Sequence, residues 1–321
     1  MSASVAQPAV RVAELTKRFG AVTAIRNISF TVNPGELFGL IGPDGAGKTT
    51  MLRILAGVMA ADSGLVRVED VDVVAHPEQV RERISYMPQR FGLYEDLTVD
   101  ENIRFFAEVF AVPRKVREER AARLLSASGM LRFRGHLAGH LSGGMKQKLG
   151  LTCSLVHAPR IVLLDEPTTG VDPVSRREFW QILYGLRAEG ACIIISTAYL
   201  DEADRCDRLA LMHDGAVPYC EAPQALRARM PGAMVEISTS DARAARAALA
   251  ALPGVRGVLM VGDGVHVHVD DARRRIPELE SALVQKGVAH APPREVFASI
   301  EDLFVALLGE APAGASRTVL S

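Results

Sequence analysis

Apolar residues along this chain fall into two patterns. Uninterrupted short runs, Leu37-Phe38-Gly39-Leu40-Ile41, Ile161-Val162-Leu163-Leu164 and Cys192-Ile193-Ile194-Ile195, have strand length and no polar face. They predict parallel strands buried on both sides. Leu65-Val66-Arg67-Val68 and Ile84-Ser85-Tyr86-Met87-Pro88-Gln89 add two more strands, and Val10 to Phe30 alternates in a strand-like way. Elsewhere the spacing is helical: after Thr50, through Ile103, Phe105, Phe106, Val109 and Phe110, and from Val116 to Ser128. The punctuation agrees. Thr98-Val99-Asp100-Glu101 is a capping box, Pro113 breaks the helix behind it, and Asp172-Pro173 caps and starts a helix that Gly190 stops. Strands alternating with helices through residue 215 predict a mostly parallel α/β core.

Composition shifts near Ala222-Pro223. From Met234 the pattern predicts a strand, an Ala-rich helix (Ala242 to Leu252) and a strand pair joined by a hairpin at Gly262-Asp263-Gly264. A helix from Ile276 to Lys286, a short strand near Val288 and a last helix from Ile300 to Leu308 follow. Arg273-Arg274-Arg275 reads as a solvated helix start. The expected organisation is a tail at 1–9, a nucleotide-binding domain at 10–222 with a helical subdomain at about 93–152, a small α+β domain at 233–310 and a tail at 311–321.

One stretch gives the core its chemistry. The strand at Leu37–Ile41 runs into Gly42-Pro43-Asp44-Gly45-Ala46-Gly47-Lys48-Thr49, a full G-x-x-x-x-G-K-[ST] match, and Thr50 opens a helix. Such a glycine-rich turn lets backbone N–H groups surround phosphate oxygens at a helix N-terminus. Lys48 is expected to reach the β- and γ-phosphates, and the Thr49 hydroxyl to ligate Mg²⁺. Downstream, Ile161–Leu164 ends in Asp165-Glu166. An Asp there can hold Mg²⁺, and the Glu beside it can polarise an attacking water.

Net charge is −1, which gives no field directed at nucleic acid or an anionic membrane. The four cysteines form no C-x-x-C pair and suit buried thiols in a reducing cytosol. The first residues carry no signal-peptide pattern, and no apolar run is long enough to span a bilayer. A membrane role would need a span from another chain. His136 with His140, and His266 with His268 on one strand face, are better explained as packed or solvated side chains than as zinc ligands.

Leu141-Ser142-Gly143-Gly144-Met145-Lys146-Gln147, with Pro88-Gln89 before it and Asp165-Glu166 after it, resembles the ATP-binding cassette (ABC) transport ATPases over about residues 8–220. Ser142, Gly143 and Gly144 at a helix start form a second anion site. The resemblance implies an α/β P-loop NTPase core with an ABC-type helical subdomain, and a head-to-tail dimer with ATP at the interface. It also implies that Phe19 stacks on adenine, that Gln89 contacts Mg²⁺ and the attacking water, and that Thr169-Gly170-Val171-Asp172 is the D-loop. The segment Arg90–Val99 and the C-terminal domain look like ABC-2 type exporter ATPases. The implied partners are a membrane permease and a second cassette, the implied ligands ATP and Mg²⁺, and the implied location the inner face of the cell membrane. Two positions depart from the family pattern. Asp44 replaces the usual Asn, and Ala198 stands where the family has a histidine that contacts the γ-phosphate. Ala198 therefore motivates an alternative, a weakly hydrolysing switch half of a heteromeric pair. A soluble relative acting on ribosomes or DNA fits less well, because the chain has neither two cassettes nor a long coiled insertion.

Overall fold

The structure, a computed structural model, describes residues 7–308. Strand β1 (Val10–Phe19) pairs antiparallel with β2 (Val22–Val32). After β3 (Leu37–Ile41) and α1 (Lys48–Leu55), β4 (Ser63–Val68) returns to β1 and β5 (Val71–Asp72) extends it, giving a sheet ordered β2-β1-β4-β5. The sequence pattern does not separate this antiparallel sheet from the parallel core, because its strands alternate just as half-buried strands of any sheet do.

The second sheet carries the chemistry. After α2 (Pro77–Arg81) come β6 (Ile84–Met87), then α3 (Val99–Val109), α4 (Arg114–Ala127) and α5 (Gly143–Leu155). They are followed by β7 (Ile161–Asp165), α6 (Pro173–Ala188), β8 (Cys192–Thr197), β9 (Arg208–His213) and β10 (Ala216–Glu221). The order is β10-β9-β3-β8-β7-β6, and the pairings β9-β3-β8-β7-β6 are all parallel. Every residue of β3, β7 and β8 is buried, which explains their unbroken apolar sequences. Each such Leu or Ile contributes about 1.5–3 kcal/mol of burial. One core joins the two sheets through α1; another packs Phe179, Trp180 and Leu183 of α6 against β7 and β8.

Helices α3, α4 and α5 share a separate core built on Val99, Ile103, Leu125 and Leu149. The capping box is formed: Thr98 Oγ1 accepts from Glu101 N–H at 3.2 Å, and Thr98 N–H donates to Glu101 at 2.8 Å. Such a cap is worth about 1 kcal/mol.

The chain divides into two compact units, Met1–Ala198 with Cys206–Cys220, and Tyr199–Arg205 with Glu221–Ser321. This corrects the expected boundary: the segment Tyr199–Arg205, expected within the nucleotide-binding domain, belongs to the C-terminal unit. That unit contains α7 (Pro223–Ala228), β11 (Ala233–Ser238), α8 (Ala242–Leu249), β12 (Val255–Val261), β13 (Gly264–Val269), α9 (Ala272–Gln285), β14 (Arg294–Val296) and α10 (Ile300–Leu308). The succession β-α-β-β-α-β, with the antiparallel order β12-β13-β11-β14, is a ferredoxin-like split βαβ. Helices α8 and α9 cover one sheet face. Helix α10 packs against Leu200–Arg205, α7 and β13, with Ile300, Leu303 and Phe304 buried.

Three further expectations in this unit are corrected. The last strand is β14 and not a strand near Val288, which is buried in the connection before it. Helix α9 begins four residues before Ile276, capped by Asp271, which accepts from Arg274 N–H. Arg275 is not solvated: it is 6% exposed and pairs with Asp270 and Glu278. Burial of a guanidinium is tolerated because two carboxylates satisfy its donors. The tail expected at 311–321 lies outside the described residues, as do the first six of the tail at 1–9; Ala9, at its end, is buried.

Candidate functional site

The C-terminal ends of β3, β7 and β8 lie side by side, with Ile41 opposite Thr197 and Asp165 opposite Ser196. In a parallel sheet this is where ligands gather. The loop leaving β3 turns through Gly47, the residue before α1, at φ 102°. A Cβ there would sit 2.4 Å from the Ala24 carbonyl oxygen, so the position requires glycine on both counts.

A cleft of about 450 Å³ opens on this loop, lined by Ala24, Asp44, Gly45, Gly47, Lys48, Thr49, Thr50, Gln89, Glu166 and Thr169. Lys48 is buried at its floor, with Nζ donating to the carbonyls of Gly42 (2.8 Å) and Pro43 (3.0 Å) and lying 3.0 Å from Glu166 Oε1. Gln89 Nε2 donates to Glu166 Oε2 at 3.1 Å. Two residues remote in sequence thus hold opposite oxygens of one carboxylate. Asp44, at the position where the family has Asn, lines the mouth of the cleft: its side chain is 87% exposed and Oδ1 lies 3.9 Å from Lys48 Nζ.

Asp165 is buried at the end of β7 with both oxygens engaged. Thr49 Oγ1 (3.0 Å) and Ser196 Oγ (2.8 Å) donate to Oδ1, and Tyr86 O–H donates to Oδ2 at 3.3 Å. Burial, and then the Asp165 charge, push the Tyr86 phenol above its ordinary pKa, so it stays a donor. Thr49 and Asp165 put a hydroxyl and a carboxylate within one hydrogen bond of each other. Hard oxygen donors of this kind suit Mg²⁺, which takes one or two carboxylates and completes its shell with phosphates and water. Among the described residues there is no cluster of three or more His, Cys, Asp or Glu that could hold a metal ion.

Ser142, Gly143, Gly144, Asp172 and Phe19 are not among the residues lining this cleft. Ser142 caps α5, its hydroxyl accepting from Met145 N–H, and Asp172 caps α6, accepting from Val174 and Ser175 N–H. The Ser175 hydrogen bonds hold the Asp172 carboxyl below its ordinary pKa. The two helix starts touch at Gly144 and Ser175. Phe19, at the end of β1, is 47% exposed, and Lys17 Nζ lies over its ring, 5.4 Å from the ring centre.

Sequence reasoning missed Ser196 and Tyr86. The available signal was a lone polar residue ending or interrupting a buried apolar strand, which demands a hydrogen-bond partner.

Residues 25–169 match the ABC transporter family. Over 94% of both chains, the sequence is 33% identical to the Nod factor export ATP-binding protein I of Ralstonia nicotianae. The chain belongs to the ABC transporter ATP-binding family. It is 32% identical to the daunorubicin/doxorubicin resistance ATP-binding protein DrrA of Streptomyces peucetius, over 94% of this chain and 92% of that one. It is 41% identical to the probable multidrug ABC transporter ATP-binding protein YbhF of Escherichia coli K12, over 94% of its own length but only 53% of YbhF. Among solved structures, an ATP-binding subunit of an ABC transporter superposes with a TM-score of 0.63 at 30% identity, covering 68% of this chain and 92% of that one. The dimeric ABC cassette MJ0796 superposes at 0.61 and 26% identity, covering 66% and 98%. A post-hydrolysis state of the same cassette, bound to ADP and Pi, does so equally well. The chain is thus an ABC ATP-binding cassette with an α/β P-loop core. No helix among the described residues is long and apolar enough to cross a membrane.

Proposed function

We propose that this cassette is the ATP-hydrolysing subunit of an ABC-2 type exporter, working on the inner face of the membrane with a separate permease and a second, head-to-tail cassette. The observation that carries the proposal is the meeting of Lys48, Gln89 and Glu166 in one cleft, with Thr49 and Asp165 hydrogen-bonded beside them. The full-length likeness to export and drug-resistance ATP-binding proteins supports the exporter assignment.

In this reading the loop from Gly42 to Thr50 cradles the phosphates and Phe19 stacks on the base. Lys48 supplies a charge-assisted contact to the β- and γ-phosphates. Thr49, Asp165 and Gln89 would hold Mg²⁺, which would supply neutralisation of phosphate charge. Glu166, oriented by Gln89, accepts the proton of a water aimed at the γ-phosphate. Ser142, Gly143 and Gly144 present the start of α5 to the γ-phosphate of the partner cassette, and Asp172 lines the same interface. ATP then bridges two cassettes, and closing them drives the permease.

Glu166→Gln tests this. It keeps shape and removes the base, so phosphate release should stop while ATP and Mg²⁺ accumulate a dimer on gel filtration. A variant that stays monomeric at high protein concentration argues against the sandwich; one that hydrolyses at the wild-type rate argues against the base.

A further inference from the structure

Ser196 is the penultimate residue of β8, between the two strands that deliver the site, opposite Leu40 of β3 and Asp165 of β7. It is fully buried, and its hydroxyl is used twice. The proton goes to Asp165 Oδ1 at 2.8 Å, and the oxygen accepts from Glu166 N–H at 3.0 Å. The direction is fixed, because an ionised carboxylate only accepts and a backbone N–H only donates. The Ser196 carbonyl takes a second share of the same Glu166 N–H, at 3.1 Å.

Glu166 needs that grip. Its φ is 47°, in the left-handed region that a residue with a Cβ adopts only when its surroundings enforce it. The turn is closed on its other side by Thr169 N–H donating to the Glu166 carbonyl at 3.2 Å. The left-handed turn re-aims the chain as it leaves β7, so that the Glu166 carboxylate meets Lys48 and Gln89 while Asp165, one residue earlier, meets Thr49 and Tyr86. A single hydroxyl from the neighbouring strand holds both the side chain of the first carboxylate and the backbone of the second.

We propose that Ser196 is a positioning residue that fixes Asp165 and Glu166 relative to each other, so that the cation-holding carboxylate and the general base are set from β8. The assignment rests on the roles proposed above for those two residues. The Ser196 hydroxyl is engaged by Asp165 and Glu166, so it acts through these neighbours. Both carboxylate residues are thereby tied to the same residue of β8.

The test compares full-length wild type, Ser196→Ala, Ser196→Thr, Ser196→Cys, Asp165→Asn and Glu166→Gln. The first readout is binding: the affinity of a fluorescent ATP analogue with and without Mg²⁺, which gives the gain due to the cation. The second is steady-state phosphate release, separated into kcat and KM. Ser196→Ala should cut kcat about tenfold or more, the weight of a hydrogen bond to a charged group, and leave KM within about twofold. It should also reduce the Mg²⁺-dependent gain in affinity several-fold. Ser196→Thr, which keeps the hydroxyl, should recover both. Ser196→Cys, close in size and a poor donor, should behave like alanine, which separates loss of the donor from loss of packing. The proposal is overturned if Ser196→Ala keeps kcat within twofold, or loses it with an unchanged Mg²⁺ gain while Asp165→Asn loses that gain. If Asp165→Asn also keeps the gain, the metal-holding role of Asp165 fails and takes the proposal with it. Wild-type hydrolysis by Glu166→Gln removes only the base assignment, and the binding readout still decides Ser196.

Discussion

Gly144, in the Leu141–Gln147 stretch, is where the start of α5 meets the start of α6, and filling it is a sharp perturbation. A Cβ at Gly144 would lie 2.6 Å from both Cβ and Oγ of Ser175 and 3.1 Å from Asp172 Oδ2. Carbon atoms rest at about 3.5–4.0 Å, so Gly144→Ala forces the starts of α5 and α6 apart by roughly 1 Å. Overpacking of this kind costs about 1–3 kcal/mol. For a domain of roughly 150–250 residues that is a fall of about 2–4 °C in thermal midpoint per kcal/mol. Activity should suffer more than stability. A misplacement of about 1 Å at groups that position a substrate can cost on the order of 100-fold in rate. The colliding atoms nearest to the new methyl belong to Ser175, so Ser175→Gly should make room for it. The change removes the Ser175 hydroxyl that also bonds Asp172, but the two backbone N–H groups of its cap remain. Thermal unfolding and phosphate release on wild type, Gly144→Ala, Ser175→Gly and the double variant decide the matter. The double variant should recover most of the midpoint and activity that Gly144→Ala loses. A Gly144→Ala protein with unchanged rate, or a loss that Ser175→Gly fails to relieve, refutes the contact argument.

Three other outcomes follow from the geometry. Lys48→Ala removes a buried ammonium from the phosphate loop and should weaken nucleotide binding about tenfold or more, measured by fluorescence titration. Ala198→His should raise phosphate release by up to about 100-fold if hydrolysis lacks a γ-phosphate contact at this position, and leave it unchanged if the site is already complete; a faster variant favours the weak-switch alternative. The C-terminal unit should lose stability as pH rises above about 6.5. Its His266 lies 3.0 Å from both oxygens of the buried Asp302, whose hydrogen bond raises the imidazole pKa against the opposing effect of burial, with Glu236 and Glu301 adding to the rise. A raised folded-state pKa means stabilisation that is complete below the unfolded value and fades as pH climbs through the folded one. His266→Gln should flatten that slope in denaturation measured from pH 6 to 8.

What was legible in the sequence is what local chemistry fixes. The strand at Leu37–Ile41, the loop to Thr49, the capping box at Thr98 and the cap at Asp172 all stand where their residues predict, because each is set within a few positions of itself. The antiparallel sheet at the N-terminus and the place of β14 depend on which distant strand each segment pairs with, which alternation alone does not encode. The candidate site divides along the same line. Motif spacing identifies Lys48, Asp165 and Glu166, but the hydroxyl of Ser196 that joins the last two comes from a strand about thirty residues on, chosen by sheet order.

The switch position shows how far this reasoning carries. Ala198 is read from sequence as a missing histidine, a statement about one side chain. The fold adds a different fact: the next seven residues, Tyr199–Arg205, are built into the C-terminal unit, where α10 packs on them. Helix α10 is in turn held to β13 by the His266–Asp302 pair, and Asp302 also caps it, accepting from Ser299 N–H at 2.8 Å. The peptide bond from Ala198 to Tyr199 therefore joins the strand that sets both carboxylates to a segment whose packing is decided by the ferredoxin-like domain. We expect a change that loosens α10 to alter hydrolysis through this shared peptide bond, whatever residue stands at 198. Restoring a histidine there and loosening α10 are then separate perturbations of one strand end, and their effects on hydrolysis should not be additive, as expected for changes that share a structural element.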